Sequence, residues 1–127
     1  MAKVTGIGGI FFKTDPAATA KWFTDVLDLP TDKWGRKFEW RDVERPDEKG
    51  STVLGLFARD SDYFEKAFML NLRVDDLDGM LEMLRGRGVE VIKVSDPDPF
   101  GRFAHVKGPD GLTLELWEPA SPGPSEK

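Results

Sequence analysis

The sequence predicts an α+β fold in which the order strand, helix, strands runs twice along 127 residues. Three observations predict it. Apolar residues alternate with polar ones around Phe38–Trp40, Leu70–Val74 and Leu112–Trp117, the period of half-buried strands. Two apolar stripes at helical spacing each follow an aspartate, Asp15 in the first half and Asp75-Asp76 in the second. Gly108-Pro109-Asp110-Gly111 stands between two strand-like runs, as a hairpin turn does.

The first apolar run, Val4 to Phe12, carries Gly6, Gly8 and Gly9, which marks a strand with close backbone approach or a bulge. Asp15-Pro16 then opens a helix. The carboxylate can accept from the first unpaired amides, and proline loses nothing at a position whose N–H has no partner. Ala18, Trp22, Phe23, Val26 and Leu27 form its apolar stripe, and Leu29-Pro30 stops it. Phe38 and Trp40 belong to a strand that turns through the charged loop Glu44–Gly50 and returns as Ser51–Ala58, while Arg59–Phe68 reads as a linker between halves. In the second half Leu77, Met80, Leu81 and Leu84 make a helical core stripe that ends at Gly86 or Gly88. Val89–Val94 is a strand, Pro97-Asp98-Pro99 a rigid loop, and Phe103–Lys107 with Leu112–Trp117 the closing hairpin.

Composition removes whole classes of function. Without cysteine there is no disulfide scaffold, thiol catalysis, cysteine-based zinc site or iron–sulfur cluster, and the single histidine, His105, is too few for a multi-histidine metal site. A net charge of −5 argues against nucleic acid and anionic membranes as partners. No apolar run approaches the roughly 18–20 residues of a membrane span, and the N-terminus lacks the charged-then-apolar build of a signal peptide. The expectation is a soluble, cytoplasmic protein of one domain, 1–119, with modules at 4–60 and 66–119 and a disordered tail at 120–127.

A resemblance rests on particular residues. Gly6-Ile7-Gly8-Gly9-Ile10-Phe11-Phe12-Lys13, then Asp15-Pro16, Trp22-Phe23 and Leu27-Asp28-Leu29-Pro30, resemble the opening of glyoxalase-like proteins. These belong to the vicinal-oxygen-chelate superfamily, with bleomycin-resistance proteins and extradiol dioxygenases. Asn71–Leu77 resembles the start of its second module, and Gly101-Arg102-Phe103, Gly108–Gly111 and Leu114–Pro119 resemble its closing hairpin. The resemblance covers 5–119. It implies two βαβββ modules forming a curved mixed sheet around a cup, small-molecule ligands and a homodimer. Metal-dependent members carry ligands on four strands; here those positions fall on Gly9 (or Gly8), near Gly55, on Met69 and on Glu115, of which only Glu115 binds a hard or borderline ion. No metal or other cofactor is expected.

Strand alternation assigns faces independently of any family. If Leu70, Leu72, Val74, Leu112, Leu114 and Leu116 pack under helices, then Met69, Asn71, Arg73, Thr113, Glu115 and Trp117 face the other way. In the first strand Ile10 and Phe12 are expected in the core, with Gly9, Phe11 and Lys13 opposite. A hairpin closing at Gly108–Gly111 brings Ala104 opposite Glu115, which sets Arg102 beside Glu115 as an ion-pair partner. His105 then falls on the helix side as a hydrogen-bonded structural histidine, reaching the ligand only if a bulge turns it. Glu115 is the candidate catalytic residue, and Phe11, Trp40, Asn71, Arg102, His105 and Trp117 are candidate ligand-binding residues. Two readings stay open: a metal-free lyase or isomerase on a small oxygenated substrate, with Glu115 as base and Asn71 or Arg102 holding negative charge, or a non-catalytic protein that sequesters an aromatic or cationic small molecule.

Overall fold

The computed structural model describes residues 2–120; the expected tail beyond Ala120 lies outside them. The elements run β1 (Val4–Thr14), α1 (Pro16–Leu27), β2 (Gly35–Arg41), β3 (Lys49–Ala58), β4 (Phe68–Val74), α2 (Leu77–Gly86), β5 (Val91–Val94), β6 (Gly101–Lys107) and β7 (Thr113–Pro119). Two helices with strands in parallel and antiparallel pairs give the α+β class expected. The chain forms two compact units: a first module of residues 7–70, and a second of residues 2–6 with 71–120.

In the first module the strand order is β2-β3-β1. β1 lies parallel to β3 with Phe11 opposite Gly55, and β2 runs antiparallel to β3 with Gly35 opposite Gly55. Asp15 caps α1 by accepting from the Ala18 amide at 3.2 Å, and Pro16 takes the first helical position. The helix stops at Asp28, whose φ of 54° lies in the left-handed region, just before Leu29-Pro30. Residues 28–34 then lead into β2 through an isolated bridge between Asp32 and Gly35.

Three expectations fail in this module. The buried aromatic of β1 is Phe11, packed with Phe64 and Met69, whereas Ile10 and Phe12 are 36% and 38% exposed. The stripe on α1 is also uncovered: Ala20 alone is buried, and Trp22, Val26 and Leu27 are more than half exposed. Periodicity marks which helix face is apolar but not whether this chain covers it. The stretch expected as a linker contributes core instead. Phe64 is buried, and Tyr63 stacks on Phe57 with ring centroids 5.5 Å apart.

In the second module the order is β4-β7-β6-β5. Asp76 caps α2 through the Gly79 amide, and the Glu118 carboxylate on β7 accepts from the Leu77 amide at 2.7 Å. Negative charge is favoured there, where unpaired amides converge. Leu77, Met80 and Leu81 bury against Val74, Ala104, Val106 and Leu116, as the helical stripe predicts. Arg87 follows the helix, and Gly88 supplies the left-handed turn at φ 81°.

A short repeat links the modules at the level of letters. Asp32-Lys33-Trp34-Gly35-Arg36 enters β2 and Asp98-Pro99-Phe100-Gly101-Arg102 enters β6. In each, the aspartate and glycine backbones exchange two hydrogen bonds of 2.9–3.0 Å. Gly35 and Gly101 have φ of 123° and 125°, and a Cβ on either would run into a neighbouring-strand carbonyl, that of Leu54 or Glu118. Both the torsion and the contact therefore demand glycine.

Gly101→Ala should lower stability by at least about 1–3 kcal/mol in urea unfolding, the cost of a strained backbone before any steric shift. Gly86→Ala, with open space around the new methyl, should be neutral or stabilising by up to about 1 kcal/mol. Equal effects at the two positions would contradict this assignment.

Candidate functional site

The sheet of the second module has two unlike faces. Leu72, Val74, Ala104, Val106, Leu114 and Leu116 face α2. On that side an apolar cavity of about 320 Å³ opens between Met80, Leu84 and Leu114, with Lys107 its one ionisable lining residue among those described. The opposite face carries the polar and aromatic set in two rungs. His105 on β6 is directly opposite Glu115 on β7, and two residues along Phe103 is opposite Trp117. From β4, Asn71 reaches the first rung and Arg73 the second.

The first rung is a buried hydrogen-bonded chain. Glu115 Oε1 accepts from Asn71 Nδ2 at 2.7 Å, and Glu115 Oε2 lies 2.8 Å from His105 Nε2. Asn71, His105 and Glu115 are only 1%, 3% and 1% exposed. Asn71 Oδ1 is a buried acceptor with no hydrogen-bond partner among the described residues. In this orientation the Asn71 amide nitrogen, not its oxygen, faces Glu115 Oε1.

The second rung is flat and half-buried. Phe103 and Trp117 stack at 5.9 Å with an interplanar angle of 3°, and the Arg73 guanidinium lies 4.9 Å from the Trp117 ring centre. Trp117 Nε1 donates to the Phe100 carbonyl at 2.8 Å, which fixes the indole.

This arrangement corrects the expected register. Lys107 pairs with Thr113, not Leu112, because the turn uses an extra residue through Pro109–Gly111, where Asp110 adopts a left-handed φ of 57°. A slip of one residue exchanges the faces of a strand. His105 thus joins Glu115 without a bulge, and Arg102 moves to the α2 side, where it pairs with Asp78 at 2.9 Å. Hydrogen bonding from Arg102 holds the exposed Asp78 carboxyl below its ordinary value of 3.8. What that contact adds is present above the ordinary carboxylate range and is lost as pH falls through the lowered value. Of the two groups suggested for holding negative charge, Arg102 is on the other face with Asp78, and Asn71 Nδ2 gives one of its two hydrogens to Glu115.

The remaining candidates lie in the first module. Phe11 is buried in its core. Trp40 covers Gly50 and donates from Nε1 to Thr52 Oγ1 at 2.8 Å. Residue-by-residue reading placed Arg73 on the correct face but gave it no role; the shared spacing of Asn71/Arg73, Phe103/His105 and Glu115/Trp117 was the available signal.

A family model described as Glyoxalase/Bleomycin resistance protein/Dioxygenase superfamily matches residues 10–116. Among solved structures, methylmalonyl-CoA epimerase from Mycobacterium tuberculosis is 22% identical with a TM-score of 0.58, over 93% of this chain and 90% of its own. The Mn(II)-bound glyoxalase from Novosphingobium aromaticivorans is 18% identical with a TM-score of 0.58, over 99% of this chain and 44% of its own. NAD-dependent benzaldehyde dehydrogenase from Legionella pneumophila is 15% identical with a TM-score of 0.59, over 88% of this chain and 98% of its own. At these identities the likeness is one of fold. No curated protein matches the chain. The chain belongs to the Glyoxalase/Bleomycin resistance protein/Dioxygenase superfamily.

The metal of such glyoxalases does not fit the residues present. At the positions corresponding to Gly9 and Gly55, the Phe11 ring occupies the space a side chain would enter. Met69 offers a buried thioether, and no group of three or more His, Asp or Glu stands together among the described residues. Catalytic zinc takes three protein ligands and harder ions need more oxygens, so no step below runs through a metal.

In double-mutant cycles Asn71→Ala and Glu115→Gln should couple by about 0.5–3 kcal/mol, as partners in one network do. Arg102→Ala and Glu115→Gln, on opposite faces, should add within about 0.5 kcal/mol. Denaturant unfolding of the five variants reads both. Strong coupling to Arg102 would restore the register that the sequence suggested.

Proposed function

We propose that this chain is a small-molecule protein whose chemistry, on a small oxygenated substrate, is proton transfer at the His105–Glu115 pair. One observation carries the reading: a lone histidine bonded to a buried carboxylate whose other oxygen is held by an amide. In this lyase or isomerase reading, the hydrogen-bonded His105–Glu115 pair takes a proton from a carbon next to a carbonyl and returns it to another atom of the substrate, and Asn71 keeps the carboxylate in place.

A second reading, sequestration without chemistry, is favoured by the burial of all three polar residues and by the aromatic rung beside them. Deuterium uptake from D2O by a panel of small 2-oxo and 2-hydroxy carbonyl compounds separates the two. Wild-type protein should catalyse exchange into at least one compound, and Glu115→Gln should slow it by about 10²–10⁴-fold with circular dichroism unchanged. Equal rates in variant and wild type would remove Glu115 from the chemistry. Ligands bound but recovered unexchanged would establish the second reading.

The homodimer expected from the family resemblance finds support in the open apolar surface of Trp22, Val26 and Leu27 on α1, more than a folded chain usually leaves to water on one helix. Light scattering at micromolar concentration should give twice the chain mass, and Trp22→Lys with Val26→Lys should return it to the monomer. A monomeric wild-type protein would count against a pairing surface on α1.

A further inference from the structure

We infer that the second module carries a separate binding site for an uncharged aliphatic molecule of about eight carbons, in the cavity between α2 and the sheet. The site lies on the face of the sheet away from His105 and Glu115, and it rests on nothing proposed for that pair.

The cavity measures about 320 Å³ and is lined by residues of one module alone. Its floor belongs to the core: Met80 on α2, Val106 on β6 and Leu116 on β7 are each no more than 4% exposed. Val4 and Pro109 stand exposed at its rim. A cavity of about 150 Å³ lined by apolar side chains stays dry and takes up benzene. By that measure this one has room for about twelve carbons, so a chain of eight fits with a hydroxyl at the rim.

The lining sets the chemistry. Apart from Lys107, every lining residue is aliphatic, glycine or proline, and none offers a carboxylate, an amide, a hydroxyl or an aromatic ring. Lys107 does not turn its charge inward. It follows Val106, which faces α2, so the pleat directs Lys107 to the opposite face with His105 and Phe103. The backbone of the rim is engaged as well: the Lys107 amide donates to the Glu90 carbonyl at 2.9 Å, and the Gly108 amide to the Leu112 carbonyl at 2.6 Å. A charge carried into this cavity would lose its water and meet no partner. Aliphatic walls with the adaptable Met80 thioether suit a flexible chain, and a flat ring would find no aromatic surface to stack on.

NMR titration of protein labelled with methyl-¹³C methionine reads the site directly. 1-Octanol should move the Met80 methyl signal saturably and leave that of Met69, buried in the core of the first module, in place. Affinity should climb about fourfold per methylene from 1-butanol through 1-hexanol to 1-octanol, the gain from burying each CH2. Octanoate and octylammonium should each bind about tenfold or more weaker than 1-octanol. Leu84→Trp, which fills the cavity from α2, should weaken 1-octanol by about tenfold or more with circular dichroism unchanged. If that variant does not fold, Val89→Phe fills the cavity from the turn before β5, and the wild-type titration needs neither. A Met80 signal that stays still or moves together with that of Met69 would overturn the inference. So would an affinity independent of chain length, a charged analogue that binds best, or a folded, filled variant that binds 1-octanol as the wild type does.

Discussion

Pro109–Gly111 closes the hairpin between β6 and β7, and Asp110 in a left-handed conformation takes up one residue more than the shortest closure would. That residue sets which side chains share a face. With it, histidine meets glutamate and phenylalanine meets tryptophan; without it, Glu115 would look across at an alanine. Helix packing enforces the same choice from the other side, because Ala104, Val106, Leu114 and Leu116 must all turn to α2 for the core to close. Strand pleating then leaves His105, Glu115, Phe103 and Trp117 together on the face away from the helix.

The buried polar rung is costly to the fold unless every member is held. A carboxylate this far from water needs donors at both oxygens, and Asn71 and His105 provide them from the flanking strands. The network also confers specificity on the sheet, since shifting β4 or β6 along β7 by one residue would leave Glu115 with apolar neighbours. The same bonds that stabilise the fold orient an imidazole for proton transfer, so structural and chemical roles for Glu115 are not alternatives at the level of geometry. They separate only in what happens to a bound molecule.

Much of the fold was legible in local chemistry. Asp15-Pro16 and Asp76 announce the helices by satisfying amides that any helix leaves unpaired, and the Leu77/Met80/Leu81/Leu84 stripe names the core of the second module. The faces of β4 and β7 followed from alternation alone. What failed had longer range. The conformation of Asp110 is a property of the closed turn and no pattern of letters carries it, yet it moved His105 and Arg102 to opposite faces. Exposure of Trp22, Val26 and Leu27 could not be read either, because an apolar stripe looks the same whether its cover belongs to the same chain or not. The Asp-x-aromatic-Gly-Arg repeat, by contrast, stood in the letters and went unread; its meaning depends on the positive φ of Gly35 and Gly101, which only the folded backbone displays.

The spacing of the polar rung along the chain also implies an order of assembly. His105 and Glu115 are joined by a short turn, so their pairing closes a small loop and is expected to form early, on the timescale of hairpins. Asn71 must return across α2, β5 and β6 to reach Glu115, a closure with a larger entropy cost. The carboxylate is therefore expected to acquire its second partner late, when water has already begun to leave. Until then the half-built rung is a buried charge in the making, and the last strand to dock relieves it.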